Sequence, residues 1–356
     1  MGTTAQKLQA VVQSKSAIKT AVANTYGIDL GDKLADWATN ITKMPTVKIT
    51  GNVADYKYMY SYGIKLANQP ITKSIWADTI DTVDLSELGT VGQRGMYWTF
   101  RGCSELKHII FPTNGLNPIG TGAFNYTFAE CPSLSGNVTL PVARLDIGTV
   151  YDSMLANTNI SELTLDVKQE TITGLDVQSA IQKLINNTPL QKFTMRGLKS
   201  IQFASGTKSR NLFGNGNSNL FYGCNQLEEI VIQNLQNVSN TNTSATAPSF
   251  GIVSWFNTAS SKTLTIRLPD LETLNVHTSS SASTTGGFFV NDTYSAFITD
   301  IYLPKCTFVG RWAFNYVHNG TFHFGAANQA AIEACAGYSN HFSNNGGNTT
   351  TFVFDL

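Results

Sequence analysis

The histidines of this sequence are scattered, and only one pair lies close enough to suggest a shared site. His318 and His323 are near one another in the stretch VHNGTFHF. Two such imidazoles could bind a metal ion, but the alternation of side chains along a strand predicts that His323 points away from the core, between Phe322 and Phe324. We expect an exposed polar position there and no metal site.

Carboxylates give a similarly weak signal for catalysis. Asp81, Asp84 and Glu87 cluster in TIDTVDLSELG but lack the spacing of a calcium-binding loop. A glycosidase needs two carboxylates about 5–10 Å apart, and distant repeats can supply such a pair, so the sequence leaves that activity open. The sequence contains no GxSxG, HExxH, Walker-type glycine loop or dinucleotide fingerprint. We predict no catalytic residues and no cofactor.

Three of the five cysteines recur in one sequence phrase. Cys103, Cys131 and Cys224 each follow a Phe by three residues, in WTFRGCSELKHIIFP, YTFAECPSLSGNVTLP and NLFYGCNQLEEIVIQ. A further copy, MLANTNISELTL, has Met154 and Asn157 at these two positions. Free cysteines are commonly buried. Recurrence at one place in each copy predicts an internal packing position, not a metal or redox site.

Composition excludes several classes of partner. Charged residues make up 13% of the chain, against a usual ~25%. The net charge is zero, and no cluster of Lys and Arg is visible, which argues against nucleic acid and anionic membranes. The start of the sequence lacks the pattern of a signal peptide, and no apolar run is long enough for membrane insertion. We expect a soluble chain that is not exported through the Sec pathway.

A short apolar strand recurs along most of the sequence. The predicted copies are 109–111, 138–140, 163–165, 193–195, 230–232, 264–268, 274–276, 301–303 and 322–324. Several close on Pro, which cannot donate into a strand ladder and therefore ends the strand. Ser-, Thr- and Asn-rich stretches at 239–249 and 278–287 read as loops on this repeating frame.

The phrase F-x-G-C-x-x-L-x-x-I-x-x-P resembles the BspA-type leucine-rich repeat over roughly residues 85–325. The stretches IGTGAF and VGRWAF are similar to another phrase of these repeats. The resemblance implies an α/β repeat solenoid with parallel strands and short helices or turns, in which each repeat buries its apolar face against its neighbours. Family members are mostly surface adhesion proteins, although their functions vary.

The two ends differ from the repeats. Residues 1–44 read as an N-terminal helical hairpin that serves either as a cap or as a docking and oligomerisation segment. Its apolar face comprises Leu8, Val11, Val12, Ile18 and Val22 in the first helix and Leu34, Trp37 and Ile41 in the second. Residues 45–84 are a connecting β-rich segment or first cap, and 326–356 are a C-terminal α/β cap with a helix at 328–336 and a strand at 352–354.

Aromatic residues near the turns are the candidate binding residues, because exposed rings can stack on sugars. They are Trp76, Trp98, Tyr126, Tyr222, Trp255 and Trp312, with Tyr97 also beside a turn. Packing within the repeat is the competing interpretation, above all for Trp98 and Trp312, each two residues from a repeat Phe.

Both ends also resemble predicted phage structural proteins, in an opening that reads KLQ, KSAI and GI and a close that reads AIEA, GY and TFVFDL. That resemblance implies a non-enzymatic virion fibre or decoration subunit, made in the host cytoplasm and released by lysis. Its expected partners are other virion proteins, through the N-terminal helices, and host surface polysaccharide or protein, with a trimer as one form of homo-oligomer. A bacterial cell-surface adhesin and a polysaccharide depolymerase are the alternatives.

Overall fold

Successive coils of the chain stack through parallel strands. The computed structural model describes residues 12–13, 15–20, 46–54, 77–173, 180–203, 213, 220–240, 264–275, 298–310, 313, 320–335, 338 and 351–356. All the strand pairs in these ranges are parallel, so each coil must return to the same side before its next strand begins. This is the solenoid that the repeats predict.

The longer strands form the main face of the solenoid. They are β1 Thr46–Lys48, β3 Thr82–Asp84, β5 His108–Ile110, β7 Ser135–Val142, β8 Asn159–Val167, β10 Lys192–Arg196, β12 Glu229–Ile232, β14 Leu264–Arg267, β16 Ile298–Leu303, β18 Thr321–Phe324 and β19 Thr351–Phe354. Strands β1, β3 and β5 form one sheet. The other strands named here form an eight-stranded sheet in the order β7, β8, β10, β12, β14, β16, β18 and β19. The face is therefore divided between β5 and β7.

A second face consists of shorter strands. They are β2 Gly51–Val53, β4 Leu88–Val91, β6 Asn117–Pro118, β9 Thr171–Thr173, β11 Ser200–Phe203, β13 Asn237–Asn240, β15 Thr273–Asn275 and β17 Phe308–Val309. The prediction of 274–276 as a further copy of the main strand was wrong, because Leu274 lies in β15. These strands escape sequence periodicity because several bury a single side chain, such as Ile172 in β9.

The core lies between the two faces. Inward residues of the main strands, such as Phe193 and Met195, are fully buried, and the rings of Phe100 and Phe128 from consecutive coils stack with centroids 5.4 Å apart. All five cysteines are free and buried, which confirms the packing prediction. Burial raises the pKa of Cys131 to about 12, so this thiol stays protonated at neutral pH.

The ends of the chain match the predictions in part. Residues 12–13 and 15–20 are helical, but the predicted N-terminal hairpin is not supported, and its second helix lies outside the described residues. At the other end, the helix Gln329–Glu333 is shorter than predicted, and β19 extends the main sheet by pairing with β18. None of the described helices is long and apolar enough to cross a membrane.

Candidate binding surface

A run of consecutive turns precedes β5 and β7 and stacks from coil to coil. The N–H of Tyr97 donates to the carbonyl oxygen of Arg94, three residues back, at 3.2 Å. The next N–H, that of Trp98, donates to Asn125 of the following coil at 3.0 Å. This alternation satisfies the backbone without a helix, and residues 77–173 contain none. We call this side of the solenoid the turn face.

The stacked turns require left-handed backbone at fixed positions. One row across the coils has positive φ at Gly102, Glu130, Asn157, Asn187 and Gly223. Asn157 therefore aligns with the residue before each cysteine, and its placement at the cysteine position from the sequence was wrong. Glycine and asparagine suit this conformation, because a larger side chain crowds the backbone there. The row therefore shows which residue types the turn geometry favours.

A second row holds much larger residues in the same strained conformation. Trp98 has φ 58° and Tyr126 has φ 55°, followed in later coils by Ser153 and Lys183. A bulky residue at positive φ is uncommon, and such strain concentrates at functional sites. Two consecutive coils thus place an aromatic ring where the backbone alone would favour glycine.

These rings meet in one cluster. Tyr97 stacks on Trp98 with centroids 5.1 Å apart, and Tyr126 meets Trp98 edge-on at 5.5 Å. The guanidinium of Arg101 lies 4.5 Å from the centre of the Trp98 ring. We call Tyr97, Trp98, Arg101 and Tyr126 the turn-face cluster. All four residues are partly exposed and the cluster offers ring edges to solvent, although Trp98 Nε1 and Arg101 Nε are buried.

Charged groups complete the surface of the cluster. Arg101 forms an ion pair with Glu130 of the next coil, and Arg94 lies 5.8 Å from the centre of the Tyr97 ring. The set therefore combines aromatic rings, two guanidinium groups and one carboxylate. Such groups can stack on a sugar ring and hydrogen-bond to its hydroxyls.

Some of the predicted binding residues lie together in the turn-face cluster. The others lie in a different coil or outside the described residues. Trp98 and Tyr126 are in the cluster, and Tyr222 is a partly exposed residue of a later coil. Trp76, Trp255 and Trp312 lie outside the described residues. Tyr97, a further candidate from the sequence, also lies in the cluster. Arg101 and Glu130 were missed, and the signal that could have found them is their proximity to Trp98 and Tyr126 in the repeat alignment.

The predicted docking residues are described only in part. Val12 is 58% exposed and Ile18 is 49% exposed. A cap would bury its apolar face against the coils, so this exposure favours the docking interpretation. The remaining residues of that set, Leu8, Val11, Val22, Leu34, Trp37 and Ile41, lie outside the described residues.

His323 lies on the outer side of the main sheet, as predicted, but it has neighbours that the sequence did not indicate. Its ring stacks on Tyr302 at 4.4 Å, and its nitrogens lie 3.3 Å from an oxygen of Asp300 and 3.1 Å from one of Asp355. The imidazole occupies the space between the two carboxylates, where a glycosidase would hold the glycosidic bond. Within the described ranges, no group of three or more His, Cys, Asp or Glu residues could hold a metal ion.

These features define a solenoid repeat protein. Its coils stack through parallel strands, buried apolar side chains form a ladder along the core, and the residues of the surface cluster differ from coil to coil. Residues 82–139 and 99–248 match the family model for the BspA type leucine-rich repeat region, in six copies. This stretch of the chain therefore consists of BspA-type leucine-rich repeats, and the main strands continue beyond it to β19. No curated protein matches the chain.

The family gives the class of function. BspA-type repeats are typical of surface and adhesion proteins, and leucine-rich repeats typically serve as non-enzymatic binding scaffolds. Repeat scaffolds hold variable side chains in fixed positions along a continuous surface. The turn-face cluster is such a set of side chains.

Proposed function

We propose that the protein is a non-enzymatic attachment protein that recognises surface glycan through the turn-face cluster. The observation that carries this proposal is the pair Trp98 and Tyr126, held at left-handed backbone positions in consecutive coils and brought within 5.5 Å of each other. Packing alone does not require rings there, because the equivalent positions of later coils hold Ser153 and Lys183.

The chemistry of the cluster suits a carbohydrate better than an apolar ligand. Guanidinium groups and phenol hydroxyls hydrogen-bond to the hydroxyls of a sugar, while the exposed ring edges contact its apolar side. Arg101 and Arg94 also favour glycans that carry carboxylate or phosphate groups. We infer an acidic surface polysaccharide as the ligand class.

The finer proposal places this attachment protein in a bacteriophage particle, as a head or tail fibre or decoration subunit. Two features support it: the resemblance of both ends to phage structural proteins, and the exposed Val12 and Ile18 on the N-terminal helical residues. Through that helix the subunit associates with further copies of itself in a trimer. A surface adhesin of a bacterium is the alternative, and the family supports it more directly, because BspA-type repeats are typical of surface and adhesion proteins.

An array of bacterial surface polysaccharides tests the glycan proposal. The purified chain is compared with the double variant Trp98→Asn, Tyr126→Asn, in which asparagine keeps the left-handed backbone accessible. We expect saturable binding to acidic polysaccharides and a loss of at least about tenfold in the double variant. Lys183→Ala, a change in the same row, is the matched control and should bind normally. Equal binding by all three proteins would contradict the proposal.

A further inference from the structure

The main sheet has one seam along an otherwise regular stack. Strand β5 pairs with β3, and β7 pairs with β8, but within residues 77–173 no strand pairing joins β5 to β7. The sequence places them as equivalent strands of consecutive coils, since Phe111 and Pro112 align with Leu140 and Pro141. Two strand edges therefore face each other without the ladder that links other neighbouring coils.

The seam is local, because the same two coils are hydrogen-bonded on either side of it. On the turn face, the N–H of Phe100 donates to the carbonyl of Thr127 at 2.9 Å. Past the end of β5, the N–H of Leu116 donates to the carbonyl of Pro141 near the C-terminal end of β7, also at 2.9 Å. The two coils are thus hydrogen-bonded on either side of the seam, while β5 and β7 share no strand pairing. The seam is therefore part of the fold of this region.

Backbone groups point into the seam from both sides. His108 donates its N–H to Asp81, and Ile110 accepts from Leu85, so both residues face β3. Alternation along a strand then turns the N–H and C=O of Ile109 towards β7. A strand lying between would find hydrogen-bonding partners on this edge.

Strand β7 presents the complementary edge. The carbonyl of Val142 accepts from Lys168 of the following coil, whereas that of Pro141 accepts from Leu116 of the preceding coil. Alternation from Pro141 back along the strand places the backbone groups of Thr139 and Asn137 on the side of β5. The bulge between Gly136 and Asn137 marks where this edge begins.

The seam opens as a cleft of about 940 Å³. Its described lining consists of Thr82, Lys107, His108, Ile109, Ile110, Phe111, Pro132, Ser133, Leu134, Ser135, Asn137, Val138, Thr139 and Asn159. The apolar side chains lie on both strands, and Ile110 is 49% exposed at the outer lip. Lys107 is the fixed charge in this set, and none of these residues is a carboxylate.

We propose that the seam cleft binds an extended polypeptide segment of a partner, which adds a strand between β5 and β7. The inserted backbone bonds to Ile109 on one side and to Asn137 and Thr139 on the other, as in recognition by strand addition. Its inward side chain is apolar, against Phe111 and Val138, and an acidic residue precedes it beside Lys107. A linear glycan lacks the alternating N–H donors and C=O acceptors that these edges match.

Selection from a displayed library of random heptapeptides on the full chain tests this proposal. We expect recovered peptides to combine an acidic residue with alternating β-branched residues, and to bind saturably in fluorescence anisotropy. Ile110→Asp should weaken this binding by at least about tenfold, because it buries a charge at the lip. Ile119→Asp is the control, since Ile119 is 60% exposed and outside the described lining of the cleft.

A second control lies in the peptide and does not depend on the folding of a variant. Methylation of its central amide nitrogen removes one donor while all side chains remain, and should weaken binding by about tenfold as well. Recovery of no binder, binding that is insensitive to methylation, or displacement of the peptide by a linear polysaccharide would overturn strand addition. The Trp98→Asn, Tyr126→Asn variant should bind the peptide normally, so this test is independent of the glycan proposal.

Discussion

Trp98 and Tyr126 occupy positions where backbone sterics favour glycine or asparagine. Each left-handed residue of this kind costs about 1–2 kcal/mol. Sequence reasoning found both residues from their place beside a repeat Phe and a turn. It could not find their strain, because a positive φ follows from coil-to-coil hydrogen bonds that no local pattern encodes. The stacking of Tyr97 on Trp98 could not be predicted for the same reason, although Tyr97 was itself a candidate binding residue.

Gly197 provides a test of the backbone geometry at the residue scale. A Cβ atom at Gly197 would lie 2.0 Å from the carbonyl oxygen of Val167, and φ is 93°. We expect Gly197→Ala to lower the free energy of unfolding by about 3 kcal/mol, because the backbone of β8 must move. Urea unfolding followed by circular dichroism measures this change.

Gly136 is the matched control for that substitution. It also has a positive φ, 74°, but a Cβ there would meet no atom within 4 Å. Gly136→Ala should therefore cost only the conformational strain, about 1 kcal/mol. Equal losses in the two variants would show that the close approach at Gly197 is absent.

At the scale of the elements, the main strands could be predicted and the second strands could not. The main strands alternate two buried side chains with polar ones, as in Lys192–Arg196, and several end at Pro. The second strands often bury one residue, so their pattern does not differ from that of a loop. The seam between β5 and β7 was also beyond sequence reasoning, since it is a missing pairing between strands that look equivalent.

Ion pairs between neighbouring main strands make stability depend on acid pH. The hydrogen bond from Lys192, with a further contribution from Arg267, holds the pKa of Glu229 below its ordinary value of 4.5. A lowered folded-state pKa stabilises the fold above the ordinary pKa, and this stabilisation is lost as pH falls through the folded value.

Glu229→Gln tests this contribution. We expect the variant to lose roughly 0.5–1 kcal/mol of unfolding free energy at neutral pH, a modest value because the pair is partly solvated. As pH falls below 4.5 and through the lowered pKa of the folded state, the wild type should lose the same amount, so the two unfolding curves converge. A difference that persists unchanged in acid would show that the carboxylate charge is not the cause. Urea unfolding at several pH values measures both proteins.

For the whole molecule, the solenoid explains how a chain with few charges can present a specific surface. Within residues 77–173, the coils supply strands to the main face and runs of turns to the turn face, so residues far apart in sequence become neighbours at regular intervals. Arg101 and Glu130, for example, belong to different coils and form an ion pair. Recognition can therefore change by substitution at the surface while the apolar ladder is retained.

The exposed N-terminal helical residues lead to a prediction about the oligomeric state of the whole molecule. If the exposed Ile18 packs between copies of the chain, light scattering of the full chain should give the mass of a trimer. Ile18→Asp should then yield a folded monomer, because a buried carboxylate is costly in such an interface. A monomeric wild-type chain would contradict self-association and leave docking on a different protein as the remaining proposal for this helix.

The most direct test of binding without catalysis is the mass of a bound polysaccharide over time. The full chain is incubated with an acidic polysaccharide from the array, and samples are analysed by size-exclusion chromatography with light scattering. Our account predicts that protein and polysaccharide elute together and that the mass of the polysaccharide stays constant. A falling polysaccharide mass would identify a depolymerase, and separate elution of the two would contradict attachment through glycan.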